Sequence, residues 1–191
     1  METLDGAGVI DFADAAHWED WLAVHHDRSG GVWLKIAKKN SGRSSVTLPE
    51  ALDVALCYGW IDSQRKRYDE HHYLQRYSPR RATGSWSQVN VDKVEALIAA
   101  GRMRAPGHAA IEAARADGRW AAAYQPQRTA AVPPDLADAL AADAGAREHF
   151  DRLDRTGRYA LLLRLMKAKT PATRTARLQR IVASLTAPGG Q

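Results

Sequence analysis

The sequence predicts an α+β fold: a small antiparallel sheet with helices, followed by an all-helical C-terminal region. Three observations predict it. Alternation of apolar and polar residues with a period of two is confined to the part before residue 80. Helical spacing of apolar residues fills the remainder of the chain. Pro126, Pro133 and Pro134 cluster in its middle, which predicts an α+β domain over 1–120, a connector over 121–134 and a helical region over 135–186.

Each element has its own signal. Phe12, Ala15, Ala16, Trp18 and Leu22 form a helical stripe within 11–27, ended by Ser29-Gly30-Gly31. Val32, Leu34 and Ile36 alternate with Trp33, Lys35 and Ala37, the pattern of a strand. Thr47-Leu48-Pro49-Glu50 has the spacing of a capping box, opening a helix that Gly59 stops. Residues 60–67 and 71–78 read as a hairpin around Asp69-Glu70. That turn would set Asp62 against Tyr77, Gln64 against Gln75 and Lys66 against Tyr73, with Ser63, Arg65 and Arg67 on the opposite face.

Asn90 has the chemistry of an N-cap for a helix running to Gly101, and Pro106 opens the next, to Gly118. Beyond the connector, helices are expected near 135–143, 146–153 and 157–168. A last one opens at Thr170-Pro171 and runs to about Leu185, and 186–191 form a frayed tail.

Of the 191 residues, 45% are hydrophobic and 26% charged, the balance of a globular chain able to bury a core. The single cysteine, Cys57, excludes an internal disulfide framework and a cysteine-based zinc site. The first twenty residues hold six acids and no Lys or Arg, unlike a secretory signal. No apolar run reaches the roughly 18 residues of a membrane span. These features predict a cytoplasmic protein without membrane insertion. The net charge of +5 is uneven: residues 152–180 carry nine basic residues against one acid. That asymmetry marks either a solvated arginine-rich surface or contact with nucleic acid.

Ala55-Leu56-Cys57-Tyr58-Gly59-Trp60-Ile61-Asp62-Ser63 resembles the signature of the YdeI/OmpD-associated family, also described as bacteriocin-protection proteins. Tyr77-Ser78-Pro79-Arg80-Arg81 with Ser85-Trp86-Ser87 and Asn90 is similar to a second block of that family. Gly101-Arg102-Met103, the Trp33–Lys39 strand and Ala168-Lys169 with Thr173-Arg174 extend the likeness over nearly the whole chain. Tyr58 and Tyr77 stand where Phe is usual, and Ala172 where the family has Glu. The resemblance implies a bacterial stress protein, with envelope-protein association only by family name and no reaction specified.

The residues themselves suggest an anion site. Arg65, Arg67, Arg80 and Arg81 offer planar donor forks that suit phosphate or carboxylate. Ser85, Ser87 and Asn90 sit at a helix start, where N–H groups are unpaired. Trp60 and Trp86 are available to wall a cleft or stack on a flat ligand, and Asp62 is the candidate general base. Lys38-Lys39 either point into the same cleft or guard a strand edge. The bland reading of the same residues is a capped helix, an ion pair and two core tryptophans.

His25-His26 and His71-His72 lack metal-ligand spacing, and no serine-hydrolase, P-loop or dinucleotide-binding motif occurs. No cofactor and no metal is expected, and the pattern does not decide whether the chain is an enzyme. The expected function is binding of a small anionic ligand by a stress-associated protein. The alternative is nucleic-acid binding through Arg174, Arg177 and Arg180 on the last helix.

Overall fold

The computed structural model describes residues 2–186. The chain divides into two compact units: residues 2–84 with 90–121, and residues 85–89 with 122–186.

The first unit holds a five-stranded sheet in the order β1-β2-β3-β5-β4. Its strands are β1 (Thr3–Leu4), β2 (Ala7–Asp11), β3 (Val32–Ala37), β4 (Trp60–Arg67) and β5 (His72–Pro79). The sheet is mixed, because β2 runs parallel to β3 while the other pairs are antiparallel. β1 and β2 form a hairpin whose corner residues Asp5 and Gly6 have φ of 50° and 74°, the backbone of a type I′ turn. Asp11 therefore ends a strand, and the first helix, α1 (Ala15–His25), starts later than its apolar stripe suggests. Asp14 caps it by accepting from the His17 amide at 3.0 Å.

Helix α2 (Leu48–Cys57) carries the expected capping box: the Thr47 side chain accepts from the Glu50 amide, and Glu50 accepts from the Thr47 amide at 3.0 Å. It ends at Gly59, whose φ is 72°. A Cβ there would stand 2.9 Å from the Pro106 carbonyl oxygen, so both the backbone and the packing require glycine. Helices α3 (Gln88–Ala99) and α4 (Ala105–Ala116) come next. α3 starts at Gln88, which places Asn90 inside the first turn and not at the cap.

The core on the helix side of the sheet is aromatic. Trp18 lies edge-on to Trp60 at 6.2 Å and 5.8 Å from Tyr77. The Trp18 indole donates to the Ala51 carbonyl at 3.1 Å and the Trp60 indole to the His26 carbonyl at 2.7 Å. These two bonds tie α1 to α2 and β4 while satisfying groups that are costly to bury unpaired. Cys57 is buried, and burial pushes its thiol pKa up.

In the second unit, residues 85–88 meet the connector. Ser87 bridges Tyr124 in a parallel sense, the Tyr124 amide donates to the Trp86 carbonyl at 3.0 Å, and the Gln88 amide donates to the Tyr124 carbonyl at 2.9 Å. Beyond it lie the helices α5 (Pro134–Ala142), α6 (Ala144–Arg152), α7 (Arg155–Met166) and α8 (Pro171–Thr186). Asp143 and Asp154 cap α6 and α7, and the Thr170 hydroxyl accepts from the Thr173 amide at 3.1 Å. Leu136, Leu140, Phe150, Leu162, Leu165, Ile181 and Leu185 close one core among them. Among the described residues no strand occurs between 135 and 186. Thr186 ends α8, and the rest of the expected tail lies outside the described residues.

Candidate functional site

The antiparallel ladder between β4 and β5 contains the feature that builds the site. Asp62 pairs with Tyr77 as the hairpin spacing requires, but the next pairs are Arg65 with Gln75 and Arg67 with Tyr73. Two residues of β4, Ser63 and Gln64, stand against the single Arg76 of β5, so the strand is bulged there. The expected register is present up to Asp62 and slips by one beyond it. Because strand side chains alternate, the slip carries Arg65 and Arg67 onto the Asp62 face and not the opposite one.

That face now holds Asp62, Arg65, Arg67, Tyr73, Gln75 and Tyr77. Gln75 is buried, accepts from Arg65 Nε at 3.1 Å and donates to the Gln64 carbonyl at 3.1 Å. The Arg65 guanidinium lies 4.6 Å from the centre of the Tyr73 ring, so it is held by stacking as well as by a hydrogen bond. The remaining nitrogens of its fork are not used by Gln75. Burial pushes the Asp62 carboxyl pKa up, and the charges of Arg80 and Arg65 counter part of that rise. Arg80 follows β5, with its amide donating to the Gly59 carbonyl at 2.9 Å and its Nε and Nη2 buried.

The Tyr77 hydroxyl is buried without a hydrogen-bond partner. Burial, then the nearby Asp62 charge, pushes its pKa far up, so it is a fixed neutral O–H. Asp53 of α2, which also acts on Tyr77, is paired with Lys93 of α3 at 2.7 Å. The assembly therefore gathers a neutral hydroxyl, the Arg65 and Arg80 guanidinium groups and a carboxyl whose pKa burial raises.

The other candidate residues fall elsewhere. Trp60 is wholly buried in the aromatic core. Arg67 is exposed at the far end of β4. Arg81 is exposed and lines a cavity on the opposite face of the sheet. Arg80 and Asn90 belong to the first unit, whereas Ser85, Trp86 and Ser87 belong to the second.

Lys38 and Lys39 follow β3 at the end where only β5 pairs with it, since the pairing with β2 stops at Lys35. With Arg43, Thr47 and Tyr73 they line an open pocket of about 720 Å³, and Lys38 donates to the carbonyls of Asp69 and Glu70 at 2.8 and 3.3 Å. Among the described residues no group of three or more His, Cys, Asp or Glu side chains could hold a metal ion. None of the helices there is long and apolar enough to cross a membrane. On α8, Arg174 forms a two-pronged pair with Asp135 at 2.7 and 2.8 Å, while Arg177 and Arg180 donate to backbone carbonyls of Arg164 and Ala176.

Two family models match the chain. One, described as Domain of unknown function (DUF8412), covers residues 10–110, including the sheet from β3 to β5 and the Gly59–Ser63 run. The other, described as Bacteriocin-protection, YdeI or OmpD-Associated, covers residues 129–187 and so the helices α5 to α8. No curated protein and no solved structure matches the chain. More than half of the sequence thus falls in the first match, and the chain belongs to the DUF8412 family, while its C-terminal region matches the model of the bacteriocin-protection, YdeI or OmpD-associated family.

Proposed function

We propose that the chain is a bacteriocin-protection-like stress protein, acting in the cytoplasm, that binds a small anionic ligand through Arg65 and Arg80 beside Asp62 and Tyr77. The observation that carries this reading is the β4 bulge. It brings the Arg65 fork to the face where a buried Tyr77 hydroxyl has no partner. A buried donor without a partner is uncommon, and an anion that also meets the guanidinium groups would satisfy it.

Thermal unfolding of the intact protein across a panel of small dicarboxylates, whose two carboxylates match two guanidinium groups, tests the reading. A ligand that binds the folded chain raises the transition temperature with its concentration. Arg65→Ala and Arg80→Ala should each remove that rise, and Tyr77→Phe should reduce it. A panel that leaves the transition unmoved, or a rise that survives both arginine variants, would overturn the reading.

A further inference from the structure

The bulge also has an opposite side. Ser63 and Gln64 border a cavity of about 460 Å³ there, together with Ser29, Ser78, Arg76 and Arg81. The Arg76 guanidinium is stacked 5.3 Å from the centre of the buried Trp33 ring and donates to the Gly30 carbonyl. Lys66 lies over the same ring at 5.1 Å and is paired with Asp5 at 2.5 Å. Asp5, the one acid that borders the cavity, is therefore paired with Lys66. Among the described residues no carboxylate stands within salt-bridge distance of Arg76 or Arg81.

The Ser29–Gly31 loop is pressed into this position. Gly31 has φ of 64°, and a Cβ on it would lie 2.4 Å from the Tyr77 carbonyl oxygen and 2.8 Å from the Ser78 Cβ. Only glycine lets the loop approach β5 so closely. The approach sets Ser29 and Ser78 on the same cavity.

We propose that this face of the sheet carries a binding site for a phosphate group, held by Arg76 and Arg81 with the hydroxyls of Ser29, Ser63 and Ser78. Two guanidinium forks and three hydroxyls around one cavity give donors in several planes, which suits a tetrahedral oxyanion better than a flat carboxylate. The volume exceeds what inorganic phosphate fills, so the ligand class is a phosphate monoester with a small organic group. The site uses different residues, on the opposite sheet face, from the one proposed above.

Calorimetric titration of the intact protein with inorganic phosphate, phenyl phosphate and acetate tests it. Saturable binding of both phosphates, with phenyl phosphate the tighter and acetate not bound, is expected. Arg76→Gln and Arg81→Ala should each weaken binding about tenfold or more, since each removes a charge-assisted hydrogen bond, while Arg65→Ala leaves it intact. If Arg76→Gln does not fold, Ser78→Ala and Arg81→Ala decide. Absence of phosphate binding, equal binding of acetate, or binding lost in Arg65→Ala but kept in Arg81→Ala and Ser78→Ala would each overturn the proposal. The last of these would leave the Arg65 site standing, whereas binding sensitive only to Arg76, Arg81 and Ser78 would assign phosphate to this face alone.

Discussion

Two glycines and one carboxylate show how far single residues determine this structure. Gly59 and Gly31 both have left-handed backbones, but their surroundings differ. At Gly59 an added Cβ comes to 2.9 Å from the Pro106 carbonyl oxygen, and at Gly31 to 2.4 Å from the Tyr77 carbonyl oxygen. Gly59→Ala should lower stability by roughly 1–3 kcal/mol, and Gly31→Ala by more, because its Cβ would come closer still to the backbone of β5. Chemical denaturation of the two variants checks the order. Gly59 was legible in the sequence as the stop after an apolar helix, while Gly31 read only as part of a loop. Its reason, the closeness of β5, is a tertiary contact.

Asp62 makes a pH prediction. Its folded pKa is raised by burial, so the folded state binds a proton more readily than the unfolded one. Stability should therefore fall as pH rises past the ordinary aspartate range and through the raised value. Asp62→Asn should be more stable than the parent at neutral pH, with the difference shrinking toward acid, as thermal unfolding at several pH values would record. The opposite trend would show the Arg80 and Arg65 charges outweighing burial.

At the scale of elements, caps were more legible than registers. The Thr47–Glu50 capping box is written in four consecutive residues and forms as expected. Thr47→Ala should cost about 1 kcal/mol, measured by denaturation. The Asp5-Gly6 corner carried an equally local signal, a turn dipeptide that favours type I′ hairpins, but strands as short as Thr3–Leu4 leave little alternation beside it. The β4 bulge has no such signature. Ser63 and Gln64 are ordinary strand-surface residues, and only the pairing of β5 shows that both stand against Arg76. Since one inserted residue reverses the faces of everything beyond it, Arg65 and Arg67 were expected on the wrong face of the hairpin although the two strands themselves were read correctly.

The tie between α5 and α8 was equally invisible to local pattern, because Asp135 and Arg174 are distant in sequence. The Arg174 hydrogen bonds hold the Asp135 pKa below its ordinary value. The stabilisation is thus full above the ordinary aspartate range and is lost as pH falls through the lowered value. Arg174→Ala should destabilise by about 0.5–1 kcal/mol at neutral pH, as half-exposed pairs do, and by less in acid.

The whole molecule has cores that close within its separate units. The helical unit buries Leu136, Phe150, Leu165 and Ile181 against one another, and the sheet buries Trp33 with Leu74 and Ala7. Leu165→Ala should cost about 2–5 kcal/mol locally. Hydrogen exchange on the full chain should then speed up in α5 to α8 while β3 and β5 keep their protection. Uniform acceleration would show one cooperative unit instead. The α+β class and the helical C-terminal region were legible because periodicity is a local property. The charge excess of residues 152–180 was legible too, but not its use: Arg174, Arg177 and Arg180 are bonded to Asp135 or to backbone carbonyls.

The lone thiol of Cys57 gives the chain a built-in clock. It is buried at the end of α2, its backbone carbonyl accepts from the Arg104 amide at 3.1 Å, and burial disfavours its thiolate. Only the thiolate reacts with disulfide reagents or alkylating agents, so modification must wait until separations of the packing around α2 expose it. The rate of labelling in native buffer therefore counts those separations one molecule at a time, without any introduced probe. A ligand that binds the folded first unit should slow the count in proportion to its occupancy, even where it produces no spectroscopic change.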